Sequence, residues 1–264
     1  TLVPYIRAAG EVKTKPTQHS VKALQQIGIQ PDILLCRTEQ SLEEGIKKKI
    51  ALFCNISADS VITAKDVDTT TYEIPLIFHE EGLDQKIVQY LNMWTRQPDL
   101  SHWEKFVSRM KAPKHEVRIA VVGKYVDLMD SYKSLHAALL HGGIANDAKV
   151  HIEYVDSEEV ERKGIEILPK NISAILVPGG FGTRGIEGKI QVIQYARTNM
   201  IPFFGICLGM QTAVIEIARH VAQLEKANSI EFDSKTTEPV FSLMEEQKSV
   251  REKGGKHAFG RLQL

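Results

Sequence analysis

Apolar residues along this chain fall into short uninterrupted runs that alternate with longer stretches of three-to-four-residue spacing. The run Leu2-Val-Pro-Tyr-Ile reads as a strand, residues 17–27 as a helix ended near Gly28, and residues 32–37 as a second strand. A lysine-rich helical pattern follows over 41–53, a strand over 61–64, and helical periodicity over 74–93 that Gly82 interrupts. Strands alternating with helices predict a parallel sheet. Residues 96–116 are more polar, read as a linker with one helix over 100–110, and place a domain boundary at 112–116. The alternation then resumes: strand 117–123, helix 131–145, strand 149–155, a strand ending at Val177, and a helix over 188–198. A last apolar run ends at Cys207, and a helical pattern starts at Thr212. The predicted fold class is α/β, with two doubly wound parallel-sheet domains at 1–112 and 113–264. The second is a flavodoxin-like sheet with its site at the strand C-termini.

Composition narrows the function classes. Lys plus Arg and Asp plus Glu number 33 each, so no net charge draws the chain to nucleic acid or to a membrane surface. Apolar content of 43% supports real cores. The longest apolar run, 201–210, is too short to span a bilayer, and no secretory segment opens the chain. Residue 1 is Thr rather than Met, so an N-terminal part is expected upstream. Cys36, Cys54 and Cys207 are odd in number and unevenly spaced, which favours a reducing compartment, and hence the cytoplasm, over a disulfide framework.

Cys207 carries the chemistry. A buried strand, a sharp turn at the cysteine and a helix packed back on the sheet form an elbow, with Gly205 and Gly209 two residues to either side. Glycine at both positions removes the Cβ atoms that would block a strained turn and a close strand–helix approach. The helix N-terminus there favours thiolate over thiol. A free cysteine is more often an inert core thiol, the reading kept for Cys36 and Cys54. A second stretch tips the balance for Cys207: Ala174-Ile-Leu-Val-Pro-Gly-Gly-Phe-Gly reads as a strand ending in a glycine turn. Backbone N–H groups at Gly179 and Gly180, with that of Leu208, can surround a carbonyl oxygen as an oxyanion hole does. A further anion site is expected earlier in the chain. Lys13 and Lys15 flank Thr14 in an extended stretch, and Pro16 and Thr17 then open a helix.

The two glycine-flanked stretches together resemble the class I glutamine amidotransferases. Two more, Glu225-Lys-Ala-Asn-Ser-Ile-Glu231-Phe-Asp and Gly10-Glu-Val-Lys-Thr-Lys-Pro-Thr-Gln-His-Ser-Val21, narrow the resemblance to bacterial-type CTP synthases, from Thr1 to about Ser249. The resemblance implies an amidoligase domain of P-loop-like fold, represented by its C-terminal part over 1–112, and a truncated amidotransferase domain over 113–264. It implies a thioester on Cys207, oxyanion donors at Gly179, Gly180 and Leu208, and glutamine binding through Gly209, Met210, Gln211 and Glu231. It assigns UTP, overlapped by the feedback inhibitor CTP, to Lys13, Thr14, Lys15, Pro16, Thr17, Gln18 and Lys49, and the ATP adenine to Arg37, Asp66 and Val67. It further implies ATP and Mg²⁺ as cofactors, GTP as an allosteric activator near the turn Gly123-Lys-Tyr125, and a homotetramer able to form filaments. The phosphate loop and the magnesium carboxylates lie upstream in that family. No Gly-x-x-x-x-Gly-Lys-Ser/Thr motif and no metal ligand set are read here.

The sequence departs from the family at its end. The amidotransferase pattern calls for a downstream His-Pro-Glu to activate the cysteine, and the chain reads Gly254-Gly-Lys-His-Ala-Phe-Gly260 before it stops. His257 has no glutamate partner nearby. His151-Ile-Glu153 has the spacing, on one face of a strand, but reads as a half-exposed surface pair. The chain as given is therefore expected to make no CTP and to hydrolyse glutamine poorly. Two rivals stand beside that reading: another class I amidotransferase or glutaminase, and a non-catalytic regulatory or filament piece.

Overall fold

A computed structural model describes residues 1–124, 132–180 and 182–242, with the backbone of a short strand at Arg261–Leu262. It divides into two units, Thr1–Ala112 and Pro113–Leu264.

In the first unit the strand expected over 2–6 is split at Pro4, which has no N–H to give a ladder. Leu2 bridges Arg37 in parallel, while Tyr5–Ile6 (β1) turns back onto Glu11–Val12 (β2) as a small antiparallel pair. Helix α1, Lys15–Gln26, starts two residues earlier than predicted, with Pro16 in its first turn. Leu34–Thr38 (β3), Glu44–Cys54 (α2) and Val61–Lys65 (β4) follow, and β3 and β4 pair in parallel from Leu34↔Val61 to Thr38↔Lys65. Leu34, Cys36 and Thr38 are buried, and the alternate Leu35 and Arg37 are exposed. The buried face packs with Val3, Val21, Ile50 and Cys54 into one core. The predicted periodicity over 74–93 breaks where Gly82 takes φ +79°, giving Ile74–Glu80 (α3) and Leu83–Tyr90 (α4). Ser101–Lys111 (α5) is no free linker. Its Trp103 indole N–H donates to Tyr72 O at 2.7 Å, and Tyr72, Trp103 and Phe106 cluster with ring centroids 5.2–5.9 Å apart.

The second unit is built on four parallel strands in the spatial order β6-β5-β7-β8. These are His115–Gly123 (β5), Ala148–Asp156 (β6), Ala174–Val177 (β7) and Phe203–Gly205 (β8). They are joined by Lys133–Ala145 (α6), Ser157–Lys163 (α7) and Ile186–Thr198 (α8), and Leu208–His220 (α9) follows the last. The order is that of a flavodoxin-like sheet. Ala120, Val121 and Val122 of β5 are all buried, as a central strand covered on both faces requires. The chain reverses its direction of travel across the sheet between β5 and β7, so a crevice opens at their C-terminal ends. Both glycine turns of the predicted site lie on that edge. A small second sheet, Ala227–Ser229 (β9), Glu238–Ser242 (β10) and Arg261–Leu262 (β11), has the order β11-β10-β9. Helices α8 and α9 are clipped together by the wholly buried Glu216. It accepts Nε and an Nη of Arg197 at 2.8–3.1 Å, and His220 Nδ1 lies 3.2 Å away.

Candidate active site

The elbow is tighter than the sequence predicts. Helix α9 begins at Leu208, directly after the cysteine, rather than at Thr212. Cys207 itself is the N-cap, at φ +52° and ψ −104°. A non-glycine residue held there stores about 1–3 kcal/mol of strain. The surroundings explain why it persists. A Cβ added to Gly205 would lie 2.5 Å from Gly209 C, and one added to Gly209 would lie 2.1 Å from Val177 O. Only glycine lets β8, α9 and β7 approach this closely. Ile206 N–H donates to Val177 O at 2.9 Å and Gln211 N–H to Cys207 O at 3.0 Å, fixing both arms of the turn. The thiol stands exposed at the sheet edge.

The glycine turn after β7 comes up beside it. A Cβ on Gly179 would be 3.6 Å from Cys207 Cβ, and one on Gly180 3.6 Å from Leu208 Cδ2. Among the described residues, no hydrogen bond engages the N–H of Gly179, Gly180 or Leu208. The structure therefore gathers Gly179, Gly180, Cys207 and Leu208. Met210 is partly exposed and Gln211 half-buried in the first turns of α9. Glu231 is exposed, its N–H tied to Ser229 Oγ at 3.2 Å. Its charge reaches Lys124, at the end of β5, whose Nζ donates to Gly182 O at 2.9 Å. Burial and then the Arg184 charge lower the pKa of Lys124, and Glu158, Glu231 and Glu161 oppose the shift. Tyr125 of the same turn and the tail with His257 lie outside the described residues. His151 does not pair with Glu153. It faces Glu116 on β5 at 3.3 Å, while Glu153 takes Arg118 at 2.7 Å.

Sequence reading missed the groups under the glycine turn. Lys189 on α8 is 1% exposed, and its Nζ donates to Ser157 Oγ and Gly185 O, each at 3.2 Å. A signal was available, because Lys189 stands three residues after Ile186 and four before Ile193, inside the apolar stripe of the helix.

In the first unit, Lys13, Lys15 and Lys49 are exposed, while Thr14, Thr17 and Gln18 are buried. Lys13 pairs with Glu11, whose carboxyl is held below the usual range by that hydrogen bond and by the charges of Lys13 and Lys49. Thr14 caps α1, and its Oγ1 accepts from Gln18 Nε2 at 3.1 Å; Thr17 Oγ1 donates to Leu2 O at 2.8 Å. Lys13 and Lys49 are thus gathered around one carboxylate near the α1 N-terminus, where Lys15 and Pro16 occupy the first turn. Arg37 and Asp66, at the C-terminal ends of β3 and β4, join at 2.8 Å, and Val67 beside them is half-buried. Among the described residues no three His, Cys, Asp or Glu side chains converge. No described helix is long and apolar enough to cross a membrane.

With this geometry in place, comparison with known proteins is direct. Residues 127–259, half the chain, match the family described as glutamine amidotransferase class-I, and residues 1–93 match CTP synthase N-terminus. CTP synthase of Syntrophus aciditrophicus is 64% identical over 260 residues, which is 98% of this chain and 48% of that protein. CTP synthase of Geotalea uraniireducens is 58% identical over 261 residues, 98% of this chain and 49% of that protein. A solved glutaminase domain of Trypanosoma brucei CTPS with bound acivicin shares 44% identity over 53% of each chain, at a TM-score of 0.47. The chain belongs to the class I glutamine amidotransferases and, through both halves, to the CTP synthase family. It spans about half the length of the curated relatives it matches.

Proposed function

We propose that the second unit is the glutamine-hydrolysing half of a CTP synthase, with Cys207 as nucleophile. The cysteine sulfur adds to the side-chain carboxamide carbon of glutamine, and the carbonyl electron pair moves onto oxygen. The N–H groups of Gly180 and Leu208, with Gly179 adjacent, receive that oxyanion. Collapse breaks the C–N bond, the proton lost from the thiol goes to the leaving nitrogen as ammonia forms, and water later hydrolyses the γ-glutamyl thioester. Gln211 and Glu231 hold the amino-acid end of glutamine, a carboxylate being the apt partner of its ammonium. One observation carries this reading: an exposed cysteine held at φ +52° between two sterically obligatory glycines, beside backbone donors that no described residue engages.

For the whole protein we propose the amination of UTP to CTP with this ammonia, ATP being consumed and Mg²⁺ assisting from residues outside those described. Lys13, Lys15, Gln18 and Lys49 are assigned to the pyrimidine nucleotide phosphates and ring, with CTP as the competing inhibitor, and Arg37, Asp66 and Val67 to the adenine. GTP activation and a homo-oligomeric assembly belong to the same proposal. Among the described residues no hydrogen bond reaches the Cys207 thiol, and this reading assigns its base to none of them. General acid–base help is worth roughly 10²- to 10⁴-fold, so turnover of glutamine without such a base is expected to be slow. The test is ammonia release from glutamine together with mass detection of the thioester, Cys207→Ala serving as blank. A Cys207-dependent adduct is expected; identical behaviour of the blank would overturn the proposal.

A further inference from the structure

Burying an ammonium without a carboxylate beside it is costly, and an apolar side chain of similar size would pack the same space better. Lys189 is among the largest fully buried side chains of the chain. Its hydrogen-bond partners are a hydroxyl and a carbonyl, Ser157 Oγ and Gly185 O. Burial, and then the positive charge of Lys124, depress its pKa to about 8, with Glu161, Asp156 and Glu158 pulling the other way. Such a residue needs a reason to be there.

The reason lies in what it ties down. The segment leaving the oxyanion glycines passes Gly182 and Gly185 and enters α8 at Ile186, with Gly188 in the first turn, and glycine chains are the least rigid. Four fixtures restrain it. Lys124 Nζ holds Gly182 O, at 2.9 Å. Glu161 Oε1 accepts from Glu187 N–H and Gly188 N–H at 2.9 and 3.2 Å. Ser157 is pressed so closely against the segment that a Cβ on Gly185 or Gly188 would lie 2.1 or 2.0 Å from its atoms. Lys189, one turn along, reaches back to bind Gly185 and Ser157 together, and it lines the same small pocket as Gly179, Gly180 and Leu208.

We propose that Lys189 is a positioning residue for the glutaminase reaction, pinning Gly185 to Ser157 so that the Gly179–Gly180 amides are held at the Cys207 carbonyl site. This rests on the reading of Cys207 as the glutamine nucleophile. An oxyanion donor matters to addition at a carbonyl and not to displacement at a saturated carbon, and the experiment uses that difference. The full chain and Lys189→Met are compared in single-turnover thioester formation with glutamine, in alkylation of Cys207 by iodoacetamide, and in thermal unfolding.

Lys189→Met is expected to acylate about 10- to 100-fold more slowly, the scale of a lost or misplaced oxyanion donor. Its alkylation rate should stay within about twofold of the parent, and its melting temperature should be unchanged or raised. Lys124→Met, which releases Gly182 O but leaves Gly185 tied to Ser157, should slow acylation less. Acylation of Lys189→Met at the parental rate would overturn the inference, as would equal loss of acylation and alkylation, which is the mark of a merely structural role. Absence of any thioester in the parent chain would instead overturn the glutaminase reading and remove the ground of this inference with it.

Discussion

The cysteine elbow and the Lys13–Gln18 segment are built in opposite ways. The elbow is a backbone construction: its donors are peptide N–H groups, its shape is forced by Gly205 and Gly209 against Val177, and its cysteine is fixed by φ and ψ. The Lys13–Gln18 segment is a side-chain construction of exposed lysines over a buried Thr14-Thr17-Gln18 base, with one lysine occupied by Glu11. A backbone site is preorganised at no cost in side-chain freedom and tolerates no added atom. A lysine site keeps mobile ammonium groups in water, tolerates substitution, and is screened by salt. The two should therefore fail differently.

Gly209→Ala should produce the largest effect. Its Cβ would fall 2.1 Å from Val177 O, a backbone atom of a central strand that cannot swing aside. Loss of about 3 kcal/mol from the second unit is expected, as for the harsher cases of overpacking, together with loss of thioester formation. Urea unfolding followed by circular dichroism checks this, and an unaltered midpoint would show the elbow to be softer than its geometry.

Next in size is the contrast among cysteines. Burial raises the Cys36 thiol to about 11 and raises Cys54 as well. A raised pKa favours the neutral thiol, so at pH 8 only about one Cys36 in 10³ is thiolate. Cys207 is exposed and should be alkylated at least about a hundredfold faster than either. Mass-mapped labelling between pH 7 and 9 measures it, and equal rates would remove the case for a nucleophile.

Most of what positions the elbow was legible in sequence because it is local. Glycine spacing, apolar strand runs and the strand–turn–helix alternation sit within about ten residues of Cys207. What was not legible is carried by pairs far apart in the chain. Helix α7 follows β6 with no loop at all, Asp156 ending the strand and capping the helix through Glu158 N–H at 2.7 Å. With Val160 as its one large apolar residue among charges, periodicity had nothing to register. Its Ser157 proves to be the anchor for a segment about thirty residues on. The helix in the supposed linker was foreseen, but its docking was not, since the Trp103–Tyr72 bond joins residues 31 apart. In the first unit a spacing rule located the lysines but could not show that Glu11 competes for one of them.

Smaller effects should come from the lysines. Lys15→Ala should weaken UTP or CTP binding about tenfold at low salt, with the difference fading towards 1 M salt as the Debye length shrinks to about 3 Å. Calorimetric titration at two ionic strengths separates this from a backbone-built site, whose affinity would change little with salt.

The smallest effect has the most particular sign. Glu11 is exposed and holds the ammonium of Lys13, with Lys49 close enough to help lower its pKa. An exposed pair of this kind adds little stability, so Glu11→Gln should fold as the parent does. It removes a negative charge from the place where a phosphate would sit and releases one lysine to meet it. Nucleotide binding should therefore tighten by about two- to fivefold at low salt. Because the lowered pKa keeps Glu11 ionised until well into acid, the parent should bind more tightly only as pH falls through that lowered value, and the Gln variant should lack this acid-side rise. Titration at pH 7 and again below pH 4.5 would show it. Weaker binding by Glu11→Gln would mean that the carboxylate orients Lys13 for the nucleotide instead of competing with it, and the side-chain site would then be as preorganised as the elbow.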